Sequence, residues 1–216
     1  MTVITIRGRL GSGAPQIGKL CADTLNLQYM DREIINRISE RLERPRQEII
    51  AKEMLPLTLV ERIARAIKED FAGSSPLSHL SSEDEAPPLD NAHYMKGLKS
   101  VIRGLARSDS VVINGRGSQF FLKNYPGAIH VLTVAPIELR VKRIMESYGL
   151  NEEAAKEKIN RYDSNRRNFI KKYFGEELED PIHYDMTINT EHISHESAVS
   201  LIIKAVNLKN KIASSV

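Results

Sequence analysis

The chain holds one cysteine, Cys21, among its 216 residues, and no tryptophan. A single thiol excludes an internal disulfide framework and any zinc cluster built on cysteines. A reducing, cytoplasmic compartment is the expected setting. Charge of one sign is also lacking: 31 Lys and Arg stand against 28 Asp and Glu, a net +3. That balance speaks against a protein devoted to coating nucleic acid, and no nucleic-acid partner is expected. No apolar run approaches the roughly 18 residues of a membrane span, and the opening M-T-V-I-T-I-R-G has no signal-peptide anatomy, so no membrane partner is expected either. What is present is an ordinary globular mixture, 41% hydrophobic and 27% charged, which excludes disorder and fibrous repeats. The length suits one domain, or one core with inserts.

Strand and helix signals alternate. Val3 to Ile6 is a short apolar strand that runs into a glycine-rich stretch, Gly8 to Gly13. Pro15 opens a helix to about Leu25, with Ile17, Leu20, Cys21 and Leu25 at helical spacing toward a core. A second strand is expected over Leu27 to Met30. From Asp31 to about Phe71 the periodicity is helical, through Ile34, Ile38 and Leu42 and then Val60, Ala64, Ile67 and Phe71. The Ser-, Pro- and acid-rich stretch 73–88 reads as a mobile loop. Helix resumes near Asp90. Strands follow at Ser110 to Asn114, Ile129 to Val134 and Met186 to Asn189. Helices are expected from Pro136 to Tyr148, from an Asn151 cap to about Tyr173, and from Glu196 to Asn210. This alternation argues an α/β fold, a parallel sheet with helices on both faces. The stretches 31–97 and 149–182 do not belong to the sheet and read as inserts.

The sharpest chemical signal is Gly8-Arg9-Leu10-Gly11-Ser12-Gly13 between first strand and first helix. A turn stripped of side chains lets backbone N–H groups face a phosphate, and the helix N-terminus adds partial positive charge. The stretch has the G-x-x-x-x-G frame of a phosphate loop. A full loop continues with Lys, which neutralises the outer phosphates, and with Ser or Thr, which holds Mg²⁺. Here those places are Ala14 and Pro15, and neither does either job. A second frame, Gly13 to Gly18 with Lys19, falls where helix has already begun. Arg7, Arg9 and Lys19 compete for the role of the missing cation. No acidic residue ends the third strand, at Asn114.

Several segments in order resemble the cytidylate kinase-like group of phosphate-loop nucleoside monophosphate kinases: I-T-I-R-G-R-L-G-S-G-A-P-Q-I-G-K (4–19), L-Q-Y-M-D-R-E-I-I (27–35), V-V-I-N-G-R-G-S (111–118), A-P-I-E-L-R-V-K-R-I (135–144), R-Y-D-S-N-R-R (161–167) and D-P-I-H-Y-D-M-T-I-N-T (180–190). The resemblance implies a P-loop three-layer fold whose core is 1–30, 98–148 and 183–216. It implies a helical insert at 31–97 for the nucleoside monophosphate and a lid at 149–182. It implies transfer of a phosphoryl group from ATP, with Mg²⁺, to a cytidylate-like monophosphate. Gly8, Arg9, Gly11, Ser12, Gly13, Ala14 and Lys19 would serve the ATP phosphates, and Asn189 and Thr190 would border its base. Asp31 and Arg116 would meet the acceptor. For Asp31 the plain alternative is a helix N-cap; for Arg116, a surface turn arginine; for Asn189 and Thr190, a polar turn. Family members commonly carry G-S-G-G plus a basic residue where this chain has Gly11-Ser12-Gly13-Ala14-Pro15. The same fold without transfer activity, acting as a nucleotide sensor or interaction module, is the competing expectation.

The lid helix carries Lys156, Lys158, Arg161, Arg166, Arg167, Lys171 and Lys172 against only Glu157 and Asp163 between 154 and 174. Arg161, Arg166 and Arg167 are the candidates to neutralise charge during transfer. Arg166 falls on the apolar stripe between Tyr162 and Phe169. A charge there needs a partner, either Asp163 or Tyr162 on its own helix or a phosphate in a cleft. His192 and His195 read as surface histidines, Cys21 as a small core residue, and no metal site is expected from protein ligands. Nothing in the sequence decides between monomer and homodimer.

Overall fold

The computed structural model describes residues 2–54, 89–108 and 110–213. The helix expected through Phe71 and the loop 73–88 lie outside the described residues. Five strands, β1 (Val3–Gly8), β2 (Gln28–Met30), β3 (Val111–Asn114), β4 (Ala128–Val134) and β5 (Met186–Asn189), form one parallel sheet in the order β2-β3-β1-β4-β5. Among the described residues the α-helices are α1 (Ala14–Leu25), α2 (Glu33–Leu42), α3 (Arg46–Glu53), α4 (Asn91–Ser108), the short α5 (Ser118–Phe121), α6 (Ile137–Tyr148), α7 (Glu152–Phe174) and α8 (His195–Ala213). Strand and helix boundaries fall within a few residues of those the periodicity predicts.

β1 is buried along its whole length because it is central and covered on both faces. Successive side chains point to opposite faces, and the core divides accordingly. Val3, Val111, Ile113 and Ala128 pack with α2, α3 and α4 on one side. Ile4, Ile6, Val112, Ile129 and Val131 pack with α1 and α8 on the other. Leu20 does not join this second core; it is 36% exposed, so the inward stripe of α1 is Ala14, Ile17, Gly18, Cys21 and Ala22.

α7 begins as its sequence dictates. The Asn151 side chain accepts from Ala154 N at 2.9 Å, with Glu152 and Glu153 in the first turn and Lys171 and Lys172 in the last. Its two halves pack differently. Ala155 and Ile159 sit on α6 in a small cluster with Val141 and Ile144. Phe169 and Ile170 join the main core beside α4. The helix thus crosses over the carboxyl ends of the strands, where open parallel sheets bind their ligands.

Candidate active site

β1 ends at Gly8 and the chain turns before α1 starts at Ala14. Gly11 and Gly13 have φ of 85° and 88°, the left-handed region that side chains resist. A Cβ on Gly13 would also stand 2.5 Å from His195 Nε2. The Ser12 hydroxyl is committed to the turn: it donates to Arg9 O at 2.7 Å and pairs with Thr133 Oγ1 at 2.8 Å. Among the described residues no backbone carbonyl accepts from the N–H groups of Gly11, Gly13 or Ala14. Unclaimed amides at a helix N-terminus form an anion cradle. They line a cleft of about 520 Å³ together with Asn114, Arg143, Tyr148, Tyr162 and His195.

The cradle is held from behind. Arg143 donates to Gly11 O (3.1 Å), Thr190 Oγ1 (2.9 Å) and Thr190 O (2.9 Å), and Thr190 Oγ1 donates to Ser12 O at 3.0 Å. Thr190 is therefore a buried clamp on the loop, whereas the exposed Asn189 shapes the turn by accepting from Glu191 N at 3.0 Å. From α7, Asp163 accepts from Leu10 N at 3.0 Å and from Arg140 at 2.6 Å, and Arg140 reaches Leu10 O at 3.3 Å. Arg9 is spent on Glu179, with Nε donating to Oε1 at 2.7 Å; that bond holds the Glu179 carboxyl below its usual range. Lys19 is exposed on α1, its ammonium 6.0 Å from the Tyr29 ring, and is not among the cleft's lining residues.

A second charged cluster adjoins the first. Arg116, in the turn after β3, is not a surface residue: it is 5% exposed and held at φ 56°. A non-glycine residue in that region costs about 1–2 kcal/mol, a cost that its contacts offset. Its Nε donates to Glu53 Oε1 at 2.7 Å and its Nη1 to Asp31 Oδ1 at 3.3 Å. Asp31 thus spends its carboxylate on Arg116; the N-cap position of α2 is Arg32, with no side-chain cap. Arg166 approaches Glu53 Oε2 at 3.8 Å and lies 5.2 Å from the centre of the Tyr162 ring. Burial opposes the Arg166 charge, but Tyr162 and Glu53 outweigh it and raise the guanidinium pKa above its ordinary value. Burial likewise pushes the Tyr162 phenol up, yet Arg7 and Arg166 overcome it and leave its pKa lowered. Arg161 and Arg167 stay exposed on the same helix, Arg167 donating to Ser164 Oγ at 3.5 Å.

The structure therefore brings together Asp31, Arg116 and Arg166, and separately the glycine loop with Thr190. It leaves Lys19, Arg161 and Arg167 outside both groups. Sequence reasoning missed Glu53, Arg140, Arg143 and Glu179; it offered Asp163 as a partner for Arg166, whereas Asp163 pairs with Arg140, and it read His195 as a surface residue. Arg140 and Asp163 did carry a signal: each sits on the inward stripe of its helix, next to Val141 and one turn after Ile159. His192 is exposed as expected, but His195 is not a plain surface residue. Its ring stands against Gly13 with Nε2 buried and unpartnered, and burial, with Arg143 nearby, lowers its pKa and favours the neutral imidazole.

The cradle fits the phosphate chain of a nucleotide: free amides, a polar orphan atom on His195, and room beside them. It offers Mg²⁺ no comparable protein ligands. Pro15 and Asn114 stand where a hydroxyl and a carboxylate are wanted, and no group of three or more His, Cys, Asp or Glu among the described residues could hold a metal ion. No helix among them is long and apolar enough to cross a membrane.

Comparison with known proteins bears on the same arrangement. The model of the cytidylate kinase-like family matches residues 3–192. A cytidylate kinase of Sulfolobus acidocaldarius is 24% identical over 209 residues, which cover 96% of this chain and 95% of that protein. A uronate isomerase of Corynebacterium glutamicum is 31% identical over 99 residues, but these span only 46% of this chain and 19% of the isomerase. Among solved structures, an uncharacterized protein from Eubacterium ventriosum superposes with a TM-score of 0.66 at 18% identity, covering 96% of this chain and 99% of that one.

Proposed function

The chain belongs to the cytidylate kinase-like family, and from that premise we propose that it transfers the γ-phosphoryl group of ATP to a nucleoside monophosphate of the cytidylate class. One observation carries the reading. Tyr162 lines the loop's cleft and also bears Arg166 on its ring, so the amide cradle and the arginine cluster are two halves of one anion-binding site. The loop from Gly8 through Arg9, Gly11, Ser12, Gly13 and Ala14 receives the donor phosphates on its backbone, and Thr190 and Asn189 bound the donor side. The monophosphate of the acceptor meets Arg116 and Arg166, with Asp31 and Glu53 holding those guanidiniums in place. Catalysis in this arrangement is positioning and charge neutralisation with no covalent intermediate. Arg166 already faces inward; Arg161 and Arg167 join it only if α7, tied to the loop and to α6 through Asp163, moves toward the cleft. Mg²⁺ use is general to kinases of this kind, and here the ion would reach the site on the nucleotide's phosphates, since the loop offers it no hydroxyl at Pro15.

The test is a coupled assay with ATP, Mg²⁺ and each nucleoside monophosphate in turn. Turnover with at least one pyrimidine monophosphate is expected; no turnover with any acceptor rejects the reading. Two observations favour a second reading, a nucleotide-binding sensor with little transfer: the Leu10 amide of the loop is already taken by the Asp163 carboxylate, and Ala14 and Pro15 lack the loop's usual cation and hydroxyl. That protein would bind ATP by calorimetry with an affinity nearly independent of Mg²⁺.

A further inference from the structure

The loop has no lysine at Ala14, and the structure accounts for two of the three cations that compete for its place: Arg9 is paired with Glu179, and Lys19 is exposed beside Tyr29. Arg7 is the third. It follows Ile6 in β1 and shares the face of the sheet that turns toward α7. It is 6% exposed, its Nε is buried without a hydrogen-bond partner, and the guanidinium makes no ion pair with any described residue.

Arg7 does not itself line the loop's cleft, but it neighbours Tyr162, which does, and Arg166 of the charged cluster. Gly115, next to the cleft residue Asn114, leaves room for it: a Cβ there would stand 3.1 Å from Arg7 Nη1. Tyr162 and Arg166 are within electrostatic reach on α7, with Tyr184 and Asp163. Asp163 cannot serve Arg7 as a counter-ion in full, because its two oxygens are engaged by Leu10 N and Arg140. Burial lowers the Arg7 pKa, and although Tyr162, Tyr184 and Asp163 act to raise it, burial together with Arg166 prevails. An unpaired charge in such a place is costly for the ligand-free fold and is explained by an anion that arrives later.

We propose that Arg7 supplies the positive charge the loop lacks, donating to phosphate oxygens that lie between the glycine cradle and the Arg116–Arg166 cluster. The proposal rests on the phosphotransferase reading. In that reaction an acceptor phosphate oxygen bonds to the γ-phosphorus as the bond from that phosphorus to the β–γ bridging oxygen breaks. ADP leaves with the electron pair, and Arg7 balances the charge spread over the transferring oxygens.

The experiment compares wild type, Arg7→Met and Arg7→Lys. Three quantities are measured: melting temperature without ligand, calorimetric affinity for inorganic tripolyphosphate, and kcat and KM where the wild type turns over. Arg7→Met is expected to melt no lower than wild type, because a bare buried charge has been removed. It should bind tripolyphosphate at least tenfold more weakly and lose about 10²-fold in kcat with little change in KM for the acceptor. Arg7→Lys should recover part of both losses. If Arg7→Met does not fold, Arg7 is structural and the proposal fails. It fails equally if tripolyphosphate affinity stays within twofold of wild type, or if the wild type does not bind tripolyphosphate. A wild type that binds tripolyphosphate but phosphorylates no acceptor rejects the kinase reading alone, and the affinity change then decides the role of Arg7.

Discussion

Arg140 and Asp163 form a 2.6 Å ion pair with side chains only 5% and 7% exposed, and the same carboxylate accepts the Leu10 amide of the glycine loop at 3.0 Å. One buried pair thus fixes α6, α7 and the loop to each other. Removing one partner leaves the other charged and desolvated, which typically costs about 3–5 kcal/mol. Asp163→Leu is expected to lower stability by that order in urea unfolding. The double variant Arg140→Met/Asp163→Leu should lose clearly less than the two single losses combined.

Arg166 stands between Tyr162 and Glu53 on the inward face of α7. Arg166→Ala should lower kcat by about 10²-fold, the scale for loss of one charge-stabilising donor. Arg161→Ala and Arg167→Ala, on exposed positions, should change it by less than Arg166→Ala. Steady-state kinetics with a saturating monophosphate checks the order of the three.

Gly13 carries both a φ of 88° and the His195 ring. Gly13→Ala should weaken ATP binding by more than tenfold and lower the melting temperature. Adding His195→Ala relieves the contact but not the backbone strain, about 1–2 kcal/mol, so recovery should be partial. Calorimetry and thermal melts on both variants separate the two causes.

His130 is 7% exposed, its Nδ1 2.8 Å from Thr5 Oγ1, and burial lowers its pKa as it lowers that of His195. Lowered folded values mean that the unfolded chain takes up protons first, below its ordinary pKa of about 6.5. Stability therefore falls as pH drops below that value and levels off above it. Unfolding free energies from pH 5 to 8 should show this slope, and it should flatten in His130→Leu.

Cys21 is fully buried in the core under α1, and burial pushes its thiol up to about 12. It should fail to react with a disulfide reagent at pH 8 in the native protein and react fully in denaturant. Prompt native-state labelling would contradict the core assignment.

The element order was legible because its signals are local. Apolar runs gave the strands, helical spacing gave the inward stripes, and Asn151 with Glu152 and Glu153 marked the start of α7. The loop was legible as glycine spacing between a strand and a helix. The engagement of the charged side chains was not. Asp31 looked equally like a helix cap, and a surface-turn reading stayed open beside the acceptor role of Arg116, because each finds its partner 85 residues away. Glu53 gave no local sign that it would anchor Arg116 and Arg166. Leu20 was misplaced because helical spacing defines a stripe only to within its width.

The sequence by itself determined the alternation of strand and helix, the glycine-rich turn after β1 and the absence of a lysine and a hydroxyl residue at positions 14 and 15 just after it. Backbone propensity and side-chain period act between near neighbours, and these features need nothing more. Only the tertiary structure decided which charges are spent and which are left over: Arg9 on Glu179, Arg140 on Asp163, Arg116 on Glu53 and Asp31, with Arg7 buried and without an ion pair among the described residues. Pairing depends on where strands and helices distant in the chain are brought side by side, and on how little water is left between them.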